Sequence, residues 1–386
     1  MKIASVSAAP FAYVFSEEHV SKYLRGQSFS CLFVRVESDD GLIGYGEVCD
    51  SFGCNYPLTL KSLIEEALAP LLKNQDTAPV EFLGQMMRRC TCRRLGDSGA
   101  VMQAISGVEI ALWDLFGKAE SKPVSQLLGA TRKQIPVYAS GSYLDEGPAE
   151  WHCSFYRPCL EKGIKAIKVR TGTEYRRDLE TLRELRRLLG DEVQLLVDGG
   201  RYYSFFEALE ISRALDDIGV LFFEEPLPQY LFEAISNLVQ KTSVPIAYGG
   251  HLFNLHEFQD CLVHHRAGVI QPDAAICGGI AEAKKVAVLG EAAGISVVPH
   301  AAAGPLSLAA NLHFAVATAN IPMLEYCFPL QPVWQAVLSG SRFFLDEIED
   351  GALKVPDSPG LGVAFDENSW SELARSWVGK KGAAWQ

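Results

Sequence analysis

Excess positive charge is missing from this sequence: 35 Lys and Arg residues face 47 Asp and Glu, a formal net charge of −12. Nucleic acid and anionic membranes reward the opposite balance, so neither is expected as a partner. The same field mildly repels an anionic ligand, which makes any local group of cations informative. Metal-type cysteine spacing is missing as well. The ten cysteines are scattered, and the one close pair, Cys90-Thr91-Cys92 inside a basic run, reads as two ordinary thiols. No basic start leads into an apolar core at the N-terminus, and no apolar run of about 18 residues stands out as a membrane span. A cytoplasmic, reducing setting is the expectation. A glycine-rich dinucleotide turn is also absent after the first strand of the alternating region described below.

What remains is ample core material. With 48% hydrophobic and 21% charged residues in 386, the chain reads as globular and larger than one domain. Residues 2–6, 31–37 and 42–48 read as strands, the last two joined at Asp39-Asp40-Gly41. Helical periodicity follows over 57–72, 80–89, 100–119 and 123–128, which makes 1–130 an α+β unit. From residue 135 strand and helix alternate. Strands over 135–140, 166–171, 194–198, 221–225, 246–248, 268–272, 296–299 and 323–326 are separated by seven amphipathic helical stretches. Repeats of about 25–30 residues are the pattern of a (β/α)-barrel, expected over 131–345, with an open doubly wound sheet as the alternative. The segment 346–386 breaks the rhythm and is expected to pack back on the first unit.

Sites in such barrels form at the C-terminal ends of the strands. Ionisable residues collect there: Lys168 and Arg170, Asp198, Glu224 and Glu225, Asp273, His300 and Glu325. Aliphatic residues or glycine would fill most of these ends if they served packing alone. On the strand at 166–171 alternation puts Ala166, Lys168 and Arg170 on one face, where two neighbouring cations need an anion. Asp198 and Glu224 suit a hard divalent cation, and Asp273 suits the orientation of His300 for acid–base work. Together these are the parts for removing a proton beside a carboxylate.

These residues resemble the enolase superfamily, in its mandelate racemase branch, over essentially the whole length. The run from Ser106 to Lys118 resembles a helix signature of the family's capping domain. Phe223-Glu224-Glu225-Pro226, Gln271-Pro272-Asp273 with Gly278-Gly279, Val298-Pro299-His300 and Glu325 resemble its barrel motifs. The resemblance implies an α/β fold with a modified TIM barrel, (β/α)7β, under an α+β N-terminal capping domain. It implies Mg²⁺, or another divalent cation such as Mn²⁺, on Asp198 and Glu224, a His300–Asp273 dyad, and Glu325 bonded to substrate. It also implies a homo-oligomer.

Three positions depart from the family pattern. Arg170 stands where the family has a proton-transferring lysine, and arginine keeps its proton. Asp198-Gly199-Gly200 replaces Asp-x-Asn. Gly250 stands at the third metal-ligand position in Pro245-Ile246-Ala247-Tyr248-Gly249-Gly250-His251. His251 is a substitute ligand only if the backbone bends at the two glycines, since alternation sets it opposite Gly250; otherwise it is a loop histidine beside a two-ligand site.

The expected function is β-elimination of water from a hydroxy or sugar acid through an ene-diolate. Lys168 and Arg170 would clamp the small-molecule carboxylate, and His300 would serve as base and then acid. A racemase, epimerase or cycloisomerase of the same superfamily is the alternative, with Lys168 as second base. From another class comes a catalytically lapsed barrel that binds carboxylates. Loops of the first unit, with Tyr13, Tyr23, Arg25, Phe52 and Tyr56, are candidates for reading the far end of the substrate.

Overall fold

Two sheets carry the chain in the computed structural model, which describes residues 1–50, 52–172, 174–339, 343–365 and 370. The first is antiparallel, with β1 (Ile3–Val14), β2 (Ser28–Ser38) and β3 (Ile43–Val48) adjacent in chain order. The expected hairpin joins β2 to β3, and Gly41 supplies the left-handed φ of 86° in its turn. β1 runs well past the expected 2–6, because residues 5–14 pair one for one with 28–37. Pro10 disguised that extension and is tolerated because β1 is an edge strand.

Helices α1 (Pro57–Ser62) and α2 (Ala69–Leu72), joined by a π-helical turn, are followed by α3 (Val80–Leu95), α4 (Ala100–Ala119) and α5 (Val124–Leu127). α4 lies so close to β3 that Gly44 and Gly46 have no room for a Cβ against its backbone. Contrary to expectation, α4 is long and apolar enough to cross a membrane, with a mean hydropathy of 1.2. Glu109 and Asp114 broke the apolar run in the sequence. The helix is a core element, 89% of its apolar window being buried inside the protein.

The second sheet contains the alternating region. In order come β4 (Gln134–Tyr143), α6 (Ala149–Glu161), β5 (Ala166–Arg170), α7 (Tyr175–Leu189), β6 (Gln194–Asp198), α8 (Phe205–Ile218), β7 (Val220–Glu224) and α9 (Phe232–Val239). Then follow β8 (Ile246–Tyr248), α10 (Leu255–Val263), β9 (Val269–Ile270), α11 (Ile280–Ala292), β10 (Ser296–Val297), α12 (Pro305–Val316) and β11 (Leu324–Tyr326). Consecutive strands from β4 to β10 pair in parallel, β11 pairs with β4, and Glu325 N donates to Pro299 O at 3.4 Å beside β10. The sheet thus closes as a (β/α)7β barrel. α8 illustrates how the sequence sets its helices: Glu207 N donates to the Ser204 hydroxyl (3.4 Å), Ser204 N donates back to Glu207 (2.8 Å), and Gly219 turns left-handed at the end.

Beyond the barrel, α13 (Gln331–Val337) leads to β12 (Ile348–Glu349) and β13 (Ala352–Lys354), and β13 adds to the start of β4. Phe365 stacks on Tyr45 of β3, with ring centroids 4.9 Å apart. Past Phe365, only Trp370 of the segment 346–386 is among the described residues.

Two buried carboxylates join the first sheet and its helices to the barrel. Glu47 accepts from Gly304, Leu306 and Ser307 N at 2.7, 3.0 and 3.1 Å, at the start of α12. Glu109 accepts from Ile280 and Ala281 N at 2.8 and 3.0 Å, at the start of α11, and from Trp113 Nε1 at 2.8 Å. A carboxylate at a helix N-terminus meets amides that lack helical partners and the positive end of the dipole. Burial nonetheless outweighs these donors and pushes both carboxyls up to about 7. Replacing Glu47 by Ala strands three buried amides, so urea denaturation is expected to show a loss on the order of 3 kcal/mol. A loss below about 1 kcal/mol would mean that other contacts carry this joint.

Candidate active site

Strand alternation builds two layers inside the barrel. Tyr138, Ala166, Leu196, Phe222, Ala247, Val269 and Val298 form one apolar cluster with Met323 packed against it, one residue from each strand. This is the floor. Two positions further along the strands stand Ser140, Lys168, Asp198, Glu224, Gly249, Gln271, His300 and Glu325. Charged side chains placed there face one another above an apolar floor, so their pairing decides what the mouth can do.

Lys168 is 1% exposed. Its Nζ lies 2.9 and 2.8 Å from the two oxygens of Glu224 and 2.8 Å from Glu325 Oε1. The Glu224 contacts are hydrogen bonds, and the Glu325 contact is an ion pair. The expected clamping of a substrate carboxylate by Lys168 is therefore corrected: the anions it meets belong to the protein. Burial opposes the charged form, but Glu224 and Glu325 outweigh it and hold the Lys168 pKa well above the usual lysine range. Burial pushes Glu224 up to about 7 against the pull of Lys168, while Glu325 is driven below the usual carboxylate range by Lys168 and His300 despite its burial. Glu325 is fully buried and also accepts from Ala301 N at 3.1 Å. Its Oε1 has no hydrogen-bond donor among the described residues.

One step higher, Arg170 Nε donates to Asp198 Oδ2 at 3.0 Å, and its guanidinium lies over the Tyr143 ring, 5.6 Å from the centroid. Its terminal nitrogens have no further partner among the described residues, so Arg170 can take a carboxylate in a bidentate grip. Asp198 Oδ1 accepts from Gly200 N at 2.9 Å, and Glu224 Oε2 accepts from Gln271 Nε2 at 2.8 Å. All four oxygens of the expected Mg²⁺ ligands are therefore engaged. Among the described residues no three His, Cys, Asp or Glu side chains converge as a metal site. This donor set does not fit a divalent ion.

His300 Nδ1 stands 2.9 Å from Asp273 Oδ2. An ionised carboxylate only accepts, so Nδ1 carries the proton and Nε2 is left for chemistry, 3.9 Å from Glu325 Oε2. Burial pulls the His300 pKa down, yet Glu325 and Asp273 outweigh it and raise it to about 9. Asn311, unremarked in the sequence, fixes the dyad: its Nδ2 donates to Asp273 Oδ1 at 2.8 Å and its Oδ1 accepts from Ala274 N at 2.9 Å. The available signal was an amide within a mostly apolar helical run, 305–316.

His251 is not turned toward Asp198 and Glu224. Its ring nitrogens lie 3.1 and 3.3 Å from Arg201 Nη2, and Nδ1 is 3.6 Å from Glu225 Oε1. Its ring centroid is 6.3 Å from that of His300. Ile246 and Tyr248 face the helices and Ala247 faces the interior, but the alternation breaks at Gly249 (φ 143°): a Cβ there would meet Phe258 of α10, whereas one on Gly250 would meet the His300 ring at 3.3 Å. Arg201, which sequence reasoning missed, donates through Nε to Glu225 Oε2 at 3.0 Å. Both Arg201 and Glu225 have left-handed φ values, 66° and 40°, a strained pair that only the surrounding contacts can hold.

The loop candidates separate. Tyr23 donates to Asp145 at 2.6 Å and packs on Tyr143 with centroids 4.1 Å apart, so it reaches the side of Arg170. Tyr13 packs on Phe15 and Phe52 on Phe29, both at 5.2 Å. Arg25 binds the carbonyl of His19 in its own loop at 2.6 Å. Tyr56 is 58% exposed beside the Asp50 turn.

Comparison with known proteins places this geometry. Residues 20–129 match the family model described as mandelate racemase / muconate lactonizing enzyme, N-terminal domain, and 156–369 that described as enolase C-terminal domain-like. An arabinonate dehydratase of Saccharolobus solfataricus is 33% identical over 87% of this chain and 88% of its own. The solved 3,6-anhydro-D-galactonate cycloisomerase from Zobellia galactanivorans superposes with a TM-score of 0.84 at 27% identity, covering 97% of this chain and 99% of that one. A racemase from Streptomyces coelicolor with bound magnesium does so with a TM-score of 0.84 at 25% identity, over 96% and 99%.

The raised His300 pKa has a definite sign. Its charged form stabilises the fold fully below about 6.5, and that contribution is lost as pH rises through about 9. NMR of the imidazole is expected to show Glu325→Gln lowering the His300 midpoint by about one unit or more. An unchanged midpoint would contradict the assigned cause.

Proposed function

The chain belongs to the mandelate racemase / muconate lactonizing enzyme family, with an enolase-like barrel, and from that membership we propose that it removes water from a sugar acid. The observation that carries the reading is the Asp273–His300 pair at 2.9 Å. Arg170 receives the substrate carboxylate on its terminal nitrogens. His300 Nε2 takes the α-proton, and the electron pair left on carbon moves into the carboxylate as an ene-diolate. Arg170 and the fixed charge of Lys168 stabilise that anion where it develops. The β-hydroxyl then leaves with the proton that His300 holds. One hydrogen and one hydroxyl depart as water, and the remaining enol ketonises to a 2-oxo acid.

Elimination by this route needs one group that is first base, then acid. Racemisation needs a second base, and Lys168 is kept as an ammonium by Glu224 and Glu325. That contrast supports the dehydratase reading; cycloisomerisation through the same single base is the alternative. No step runs through Mg²⁺. The same reading takes the small-molecule acid as the partner, with the homo-oligomeric state that the resemblance implies and the cytoplasmic setting expected from the sequence.

Incubation with pentonic and hexonic acids in D₂O, followed by NMR at the α-carbon, tests it. For an acid that turns over, His300→Asn is expected to lower α-proton loss on the order of a hundredfold or more. Because the neutral imidazole is the base, the wild-type rate is expected to climb with pH and level off near 9. Proton loss on no acid, or loss unaffected by His300→Asn, would favour the lapsed, ligand-binding barrel or another base.

A further inference from the structure

Every carboxylate at the barrel mouth already has a cation supplied by the chain. Asp198 has Arg170, Glu224 and Glu325 share Lys168, Glu225 has Arg201 with His251, and Asp273 has His300. Among the described residues the three acids nearest the expected ion, Asp198, Glu224 and Glu325, thus meet two permanent cations at 2.8–3.0 Å, so an added dication would stand against charge already in place. Buried charges persist when paired, and removing one partner of such a pair is strongly unfavourable. An ion on Glu224 would stand against the Lys168 ammonium, 2.9 and 2.8 Å from the two oxygens, and at 1% exposure that ammonium has no solvent to move into.

The two glycines that depart from the family pattern act in the same direction. Gly200 has a φ of 59° and would drive a Cβ into the Tyr202 ring. In that conformation its N–H reaches Asp198 Oδ1, so the backbone fills a bonding position on the acid. At Gly250 a Cβ would stand 3.3 Å from the His300 ring, so a carboxylate there would crowd the dyad. His251, the neighbouring donor, is turned to Arg201 and Glu225 instead.

We propose that this barrel carries its cation built in: Lys168 between Glu224 and Glu325, and Arg170 on Asp198, supply the charge that the family resemblance assigns to a divalent ion, so carboxylate ligands bind without Mg²⁺ or Mn²⁺. The proposal deepens the dehydratase reading, since the same cations serve the same mouth. Lys168 supplies a fixed field, and Arg170 supplies the contacts.

The test is a titration of the EDTA-stripped full chain with Mn²⁺ alone, read by electron paramagnetic resonance. The expected result is no site tighter than about 1 mM in the wild type. Lys168→Met removes the built-in cation but keeps the acids, and is expected to bind Mn²⁺ at least about tenfold more tightly than the wild type. One equivalent of Mn²⁺ bound below about 1 mM by the wild type, and lost in Asp198→Asn, overturns the proposal. An ion retained in both Asp198→Asn and Glu224→Gln sits elsewhere on the acidic surface and counts for the proposal. If Lys168→Met does not fold, the wild-type titration still decides. The titration reads binding rather than turnover, so its failure and the failure of the dehydratase reading are separate results.

Discussion

The Lys168 ammonium, sealed between Glu224 and Glu325, is the contact on which the rest of the mouth depends. Its position follows from alternation on β5: Ala166 lies in the apolar floor, and the next inward residue must stand directly above it. A charge in that position would be prohibitive alone, so the neighbouring strand ends supply carboxylates. Once Lys168 holds Glu224 and Glu325, it can serve neither as a base nor as a gripping group. The remaining work falls to Arg170, whose Nε is bonded to Asp198, and to His300, whose Nε2 is left over from the bond to Asp273.

Charge placement also ties the two sheets together. The carboxylates of Glu47 and Glu109 end against the amides that begin α12 and α11. Those helices follow β10 and β9, the strands that lead into His300 and Asp273. The joint and the dyad therefore share their supports, and Asn311 within α12 links them through Asp273. At the mouth, the left-handed residues Arg201 and Glu225 bring an arginine and an acid together beside His251.

The barrel was legible in the sequence because its period is regular and its helices carry their own caps, as Ser204 and Glu207 do for α8. The strand-end residues were legible because charge is out of place on a buried strand. Pairings were not, since Lys168 and Glu224 lie far apart in the chain and only closure of the barrel brings them to 2.8 Å. Read locally, two cations on one strand looked like a waiting anion site. The direction of His251 stayed open in the sequence because it hung on a bend at the two glycines, and Gly249, with a φ of 143°, makes that bend. α4 was read as a helix over 100–119, but its membrane-length apolar character was missed because Glu109 and Asp114 look like surface residues until the amides they accept from are known.

The central claim is that one group, His300, moves protons in a mouth whose other cations are fixed. The stereochemistry at the α-carbon tests it most directly. With a slow sugar acid in D₂O, one base working from one face predicts that recovered substrate carries deuterium with its configuration retained and that no epimer accumulates. Epimer forming at a rate comparable with deuterium uptake would require a second acid–base group on the opposite face, and would contradict the assignment of Lys168 as a locked ammonium.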